Sequence, residues 1–169
     1  AAAISGQSRS SAGTAARQYT AVYGAIPIDG YEIDPQIIQV GKTYFGMDLP
    51  NLNAYAVDGR WGLEQSPRRY SVISVDAYRP PYIPAHLVTQ EFFQIAYDHL
   101  EADGALVINV GRSPTDRSLV NALATTIRTI FPSLYAVDVP GTFNTILFAT
   151  VQPTRQENLL ENYLALEAN

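Results

Sequence analysis

Ile26-Pro27-Ile28-Asp29-Gly30-Tyr31-Glu32-Ile33-Asp34-Pro35 runs from an apolar strand, through an acid, directly into a helix start. Asp34 before Pro35 reads as an N-cap and first-turn pair: the carboxylate accepts from amides that have no helical partner, and proline lacks only an N–H that would be unpaired there anyway. Ile37, Ile38, Gly41, Tyr44 and Phe45 then repeat at helical spacing, and Gly46 ends the run. Asp34 is thereby assigned to the cap and left out of any site. Glu32, at the end of the strand, is positioned for two vicinal ribose hydroxyls, because a carboxylate offers two acceptor oxygens side by side. A small-molecule nucleoside is the first ligand expected.

The same grammar recurs along the chain. Asp58 closes the run Tyr55-Ala56-Val57 before Gly59, and Asp76 closes Tyr70-Ser71-Val72-Ile73-Ser74-Val75. In an open α/β sheet the ligand crevice lies beyond the carboxyl ends of the strands, so Glu32, Asp58 and Asp76 are expected to converge on one pocket. Apolar runs at 26–33, 52–57, 71–75, 105–110, 134–139 and 145–151, with residues 1–5 as a first strand, give seven strands. Near-continuous Val, Ile, Leu and Ala between helices points to parallel strands buried on both faces. Only Pro140-Gly141-Thr142-Phe143-Asn144 separates the last two, which predicts an antiparallel hairpin at the sheet edge.

Helices are expected at 14–23, 60–65 and 89–101, the last carrying Phe92, Phe93, Ile95, Ala96 and Leu100. Another opens with Ser113, Pro114 and Asp116 before Leu119, Val120, Leu123, Ile127 and Ile130. Thr154 with Glu157 reads as a capping box ahead of Leu159, Leu160, Tyr163 and Leu164. The fold class is α/β, a mostly parallel seven-stranded sheet of the methyltransferase-like Rossmann type with an antiparallel C-terminal hairpin. No repeat or linker divides residues 1–169, which read as one domain.

Composition narrows the function. With 169 residues, 47% of them hydrophobic and 16% charged, the chain can bury its own core. A formal net charge of -5 supplies no broad basic surface for phosphates, so nucleic acid is not an expected partner. The lack of cysteine removes thiolate metal sites and disulfides and fits a cytoplasmic location. His86 and His99 have no metal-ligand spacing; they read as structural or surface residues, and no metal is expected. Trp61 reads as packing or as an adenine stack, and Arg68-Arg69 as solvated. No run approaches the roughly 18 apolar residues of a membrane span. The Ala/Ser/Gly-rich opening, which does not begin with methionine, suggests a fragment of something longer.

Tyr31-Glu32-Ile33-Asp34, Val57-Asp58-Gly59, Tyr70 to Asp76 and Gly104-Ala105-Leu106-Val107-Ile108-Asn109 together resemble the spermidine synthase (polyamine aminopropyltransferase) family over residues 12–111. The stretch Ile33-Asp34-Pro35-Gln36-Ile37-Ile38-Gln39-Val40, with Lys42 and Phe45, is especially close. The resemblance implies the Rossmann-type fold shared with S-adenosylmethionine-dependent methyltransferases. It implies that Glu32, with Ile33 beside it, binds the ribose of decarboxylated S-adenosylmethionine or of methylthioadenosine. Asp58 and the Gly59 backbone would take the adenine edge, and Gly13 belongs to what remains of the family's glycine-rich loop. Asp76 matches the catalytic aspartate that orients and deprotonates the attacking amine, since an ammonium has no lone pair with which to attack.

The chain also departs from the family. Asp76-Ala77-Tyr78-Arg79 stands where the family carries a second acid, which makes Tyr78 and Arg79 candidate selectivity residues; an arginine there repels a diamine dication. The glycine loop reads Gly6-Gln7-Ser8-Arg9-Ser10-Ser11-Ala12-Gly13, and the family's N-terminal β-domain has no counterpart. The implied co-substrate is decarboxylated S-adenosylmethionine, or S-adenosylmethionine itself, with a polyamine or another acceptor. A homodimer and a membrane domain in a parent protein are the further partners expected, the latter making this its soluble part. Two alternatives stand beside aminopropyl transfer: a methyltransferase whose Arg79 receives an anionic acceptor, and a non-catalytic ligand-binding module of a membrane-fused protein.

Overall fold

The computed structural model describes residues 2–6, 13–77 and 83–167. Strand β1 (Ala2–Gly6) leads through α1 (Thr14–Tyr23) to β2 (Ile28–Tyr31), α2 (Pro35–Tyr44) and β3 (Leu52–Tyr55). The chain then crosses by α3 (Gly59–Glu64) to β4 (Tyr70–Asp76), α4 (Gln90–Asp98), β5 (Leu100–Gly111), α5 (Ser118–Ile127), the pair β6 (Ser133–Asp138) and β7 (Asn144–Thr150), and α6 (Gln156–Glu167). Among the described residues these strands form one seven-stranded sheet in the order β3-β2-β1-β4-β5-β7-β6. β1 to β5 pair in parallel, while β7 lies antiparallel between β5 and β6. The α/β class and the reversed final hairpin are therefore as read from sequence. β6, however, takes the edge, because β7 inserts itself beside β5.

The main core lies on one face of the sheet, where Ile73, Val75, Leu106, Ile108, Val110 and Leu147 meet Phe92, Phe93 and Ala96 of α4 and Val120, Leu123 and Ile127 of α5. A second, smaller cluster joins Ala16 of α1 to Ile28, with Tyr19, Ile26, Leu49 and Leu52 around it. Burial on both faces is not what the later strands show. In β7 buried and half-buried residues alternate, and Val107, Ile146 and Phe148 belong to neither cluster. The apolar runs here are continuous in composition but two-sided in environment.

Three helix boundaries differ from their sequence punctuation. α4 ends at Asp98, because the His99 amide and ring turn back on the Ile95 carbonyl and the His99 carbonyl accepts from Tyr70 N. Leu100, expected in that helix, starts β5 and is 1% exposed there. α5 begins at Ser118: Ser113 Oγ accepts from Asp116 N, and Asp116 Oδ1 from Ser118 N, so two side-chain turns precede the helix. The capping box at α6 does not form. Thr154 Oγ1 turns to the Tyr135 hydroxyl and Thr150 Oγ1, and the Arg155 amide finds Asn158 Oδ1 instead. Leu159, Leu160, Tyr163 and Leu164 of α6 are exposed.

Arg68 and Arg69, expected to be solvated, each have an internal partner. Arg68 Nε lies 3.7 Å from Asp29 Oδ2, and Arg69 Nη1 donates to the Leu100 carbonyl. No helix among the described residues is long and apolar enough to cross a membrane.

Candidate functional site

The order of the sheet reverses between the parallel strands β1 and β4, with β2 and β3 following on one side and β5 on the other; in open α/β sheets ligands bind beyond the carboxyl ends at such a switch point. Gly6 of β1 is in register with Asp76 of β4, and Ser5 with Tyr31 of β2. Along this rim the chain sets Glu32 just past β2, Asp58 three residues past β3 and Asp76 at the end of β4. The three acids expected to converge thus share one edge of the sheet.

Glu32 is 8% exposed. Its amide donates to the Tyr55 carbonyl, which extends the β2–β3 ladder by one residue, and its Oε1 accepts from Asp34 N at 3.0 Å. Burial pushes its carboxyl above the ordinary glutamate value, and the Asp34 amide offsets only part of that push. Asp34 caps α2 by accepting from Gln36 N at 2.8 Å, the role assigned to it from sequence. Ile33 is 52% exposed at the strand end, an apolar surface beside an acid.

Asp58 is the N-cap of α3, with Oδ1 accepting from Trp61 N at 3.0 Å. Its other oxygen, Oδ2, lies 2.8 Å from His86 Nε2. Burial raises the Asp58 carboxyl, but the Trp61 amide and His86 outweigh it and bring the group below the usual aspartate range. Gly59 follows as the first residue of α3, and Trp61, 55% exposed, stands over the helix start.

Asp76 Oδ1 accepts from Asn109 Nδ2 at 3.0 Å, a bond fixed by the β4–β5 register that pairs Val75 with Ile108. The other amide atom, Asn109 Oδ1, is buried without a hydrogen-bond partner, an acceptor left over beside an acid. Gly13 opens α1 at φ 84, and a Cβ there would lie 3.0–3.2 Å from Met47. Only glycine suits that combination of left-handed backbone and close approach. Tyr78 and Arg79 lie outside the described residues. Among the described residues no group of three or more His, Asp or Glu could hold a metal ion.

Two features escaped the sequence. His86 and Asp58 are 28 residues apart, and no spacing rule joins a turn histidine to the cap of an earlier helix. Asn109 had no role assigned, although its place opposite Asp76 follows once the parallel register is known. Beside α3 a groove of about 330 Å³ is lined by Asp29, Tyr31, Tyr55, Trp61, Ser66 and Arg68. Behind Asp29, Tyr31 and Ser66 of that lining, the buried Tyr70 hydroxyl donates to Asp29 Oδ2 at 2.9 Å and meets Ser66 Oγ and the Tyr31 hydroxyl. Asn53 Nδ2 donates to the other Asp29 oxygen.

Comparison with known proteins bears on family and fold. Residues 23–162 match the spermine/spermidine synthase domain. A probable polyamine aminopropyl transferase of Bifidobacterium longum is 37% identical over 142 residues, which are 81% of this chain and 31% of that protein. The chain spans well under half the length of the aminopropyltransferase relatives it matches. Human methyltransferase-like protein 13 in complex with SAH superposes with a TM-score of 0.84 at 25% identity, over 99% of this chain and 80% of that one. A spermidine synthase in complex with the transition-state analogue AdoDATO superposes with a TM-score of 0.79 at 20% identity, over 93% and 56%, a likeness of fold.

Proposed function

The chain belongs to the spermine/spermidine synthase domain family, and from that premise we propose that its rim binds an adenosyl-sulfur nucleoside and serves aminopropyl transfer to an amine. The observation that carries this reading is the alignment of Glu32, Asp58 and Asp76 at the ends of β2, β3 and β4 around the β1–β4 switch point. In it, Glu32 accepts from the two ribose hydroxyls, Asp58 and the Gly59 backbone take the adenine edge, and Ile33 lies against the base. Gly13 lets the α1 terminus approach the ligand closely.

Asp76 orients the acceptor amine and takes up its proton. The amine nitrogen forms a bond to the propyl carbon of decarboxylated S-adenosylmethionine as the carbon–sulfur bond breaks, and methylthioadenosine leaves with the electron pair. Asn109 steadies the carboxylate by donating from Nδ2 to Asp76 Oδ1. Its unpaired Oδ1 supports the presence of a further donor on this side of the rim, as an amine would supply.

Methyl transfer from S-adenosylmethionine is the second reading. It is favoured by the likeness, over nearly the whole chain, to a human methyltransferase-like protein in complex with SAH. Calorimetric titration with methylthioadenosine, SAH and putrescine, separately and combined, separates the two. Methylthioadenosine binding that strengthens putrescine binding supports aminopropyl transfer. Preference for SAH with no response to putrescine favours methyl transfer, and failure of both nucleosides to bind rejects the site.

A further inference from the structure

His86 sits in a single turn, Ala85–Leu87, between β4 and α4, with its side chain 46% exposed and its Nε2 2.8 Å from Asp58 Oδ2. The turn is held on both sides of the imidazole. Leu87 is 3% exposed in the core, Val88 N donates to the Ala85 carbonyl, and Arg60 Nη1 donates to the His86 carbonyl at 3.1 Å. The same Arg60 nitrogen reaches Thr89 Oγ1, the cap of α4, at 3.4 Å. A histidine on one element and the capping carboxylate of another are thus clamped together by three separate contacts.

Both Asp58 oxygens have an internal donor, the Trp61 amide on Oδ1 and the imidazole on Oδ2. A carboxylate oxygen has two lone-pair directions, so each keeps one for a ligand, and the existing donors fix where those directions point. We propose that His86 is the positioning residue of the adenine subsite: it orients Asp58 and, through its own charge, sets how strongly Asp58 accepts an exocyclic amine. This rests on the nucleoside reading of the rim. With a neutral imidazole the carboxylate keeps its full charge for the ligand; with an imidazolium the two are an ion pair, and the acceptor is weakened. The charged groups around the pair, among the described residues, are Asp58 and Arg60 of α3 and Glu91 in the first turn of α4, which faces Arg60.

The test is calorimetric titration of the whole chain with methylthioadenosine and with methylthioinosine at pH 5.5, 7 and 8.5, in wild type, His86→Gln and His86→Ala. Glutamine keeps an N–H donor for Asp58 but does not titrate. The expected result is that wild type binds methylthioadenosine about fivefold more weakly at pH 5.5 than at pH 8.5, the difference between a charge-assisted and a neutralised acceptor. The inosine ligand shows no such slope, His86→Gln removes it, and His86→Ala loses discrimination between the two bases at every pH. Proton release measured as a buffer-dependent heat at pH 5.5 should be present in wild type and absent in His86→Gln. A slope of equal size in His86→Gln, or one shared by both ligands, overturns the proposal while leaving the nucleoside reading intact. Failure of wild type to bind either ligand at any pH rejects that reading and this one with it.

Discussion

Glu32 is 8% exposed and accepts from the Asp34 amide, and burial pushes its carboxyl above the ordinary value at a place where the proposed ligand would supply two hydroxyl donors. Its folded-state value is raised, so its contribution to stability is complete below the unfolded value and is lost as pH rises through the folded one. Glu32→Gln keeps an oxygen for the Asp34 amide and removes the charge. We expect a higher melting temperature than wild type at pH 7, with the gap closing toward pH 4, while methylthioadenosine affinity falls by roughly 1.5–3 kcal/mol, the worth of a hydrogen bond to a charged group. Parallel thermal melts and calorimetry read both; a variant that binds as wild type does removes Glu32 from the site. Tyr70→Phe tests the buried network below α3. Asp29, 3% exposed, would lose its hydroxyl donor, and the expected destabilisation is about 1–3 kcal/mol by urea unfolding. The place of Glu32 at a strand end was legible because a strand-end acid needs only local pattern to be noticed. The hydroxyl cluster on Asp29 and the imidazole on Asp58 were not, since each depends on side chains brought together by strand order.

Helix α3 carries the rim through a glycine. A Cβ at Gly62 would meet the Tyr31 ring at 2.5 and 2.7 Å and Val57 Cγ2 at 3.0 Å, so α3 lies directly on β2. Alanine ordinarily favours a helix by roughly 0.5–1 kcal/mol over glycine, but here overpacking of about 1–3 kcal/mol wins. Gly62→Ala is therefore expected to lower stability in urea and, because Asp58 caps the same helix, to weaken adenine ligands more than inosine ligands. A stabilised variant would mean that α3 has room to lift. At this scale the sequence was informative about starts: Asp34 with Pro35 gave α2 its cap, and residues 14–23 match α1. It misplaced the start of α5 and the end of α4. Leu100 continues the helical spacing of α4 yet is buried as the first residue of β5, and periodicity cannot tell the two environments apart. The Thr154 box failed because Tyr135, on a neighbouring strand, competes for the same hydroxyl.

The β5–β7–β6 end of the sheet is joined by charge. Asp138 accepts from both terminal nitrogens of Arg117 and from Thr145, with Arg112 at 3.4 Å, so β5, β6, β7 and the start of α5 meet at one carboxylate. Its carboxyl is held down at about 2, chiefly by Arg117, so this contribution to stability is present above the unfolded aspartate value and is lost as pH falls toward 2. Asp138→Asn should lower the melting temperature at pH 7 and lower it less at pH 2.5; an equal loss at both would make the cluster a matter of shape. In contrast, Leu160→Glu or Leu164→Glu in α6 should leave the melting temperature nearly unchanged, because those side chains are 60% and 54% exposed. A large shift in either would mean that the helix packs against something.

The placement of β7 between β5 and β6 also imposes an order in time. A ribosome delivers β6 first, and β6 has no neighbour in the sheet until the seven residues of β7 follow it. At about 5–20 residues per second, the free border of β5, complete at Gly111, stays open until Thr150 for roughly 2–8 s of synthesis. During that interval the nascent chain exposes an unpaired strand border capable of joining another polypeptide. Completion of the sheet is therefore a late event set by the translation machinery, and slowing elongation between codons 133 and 150 should favour aggregation of the newborn chain over its folding.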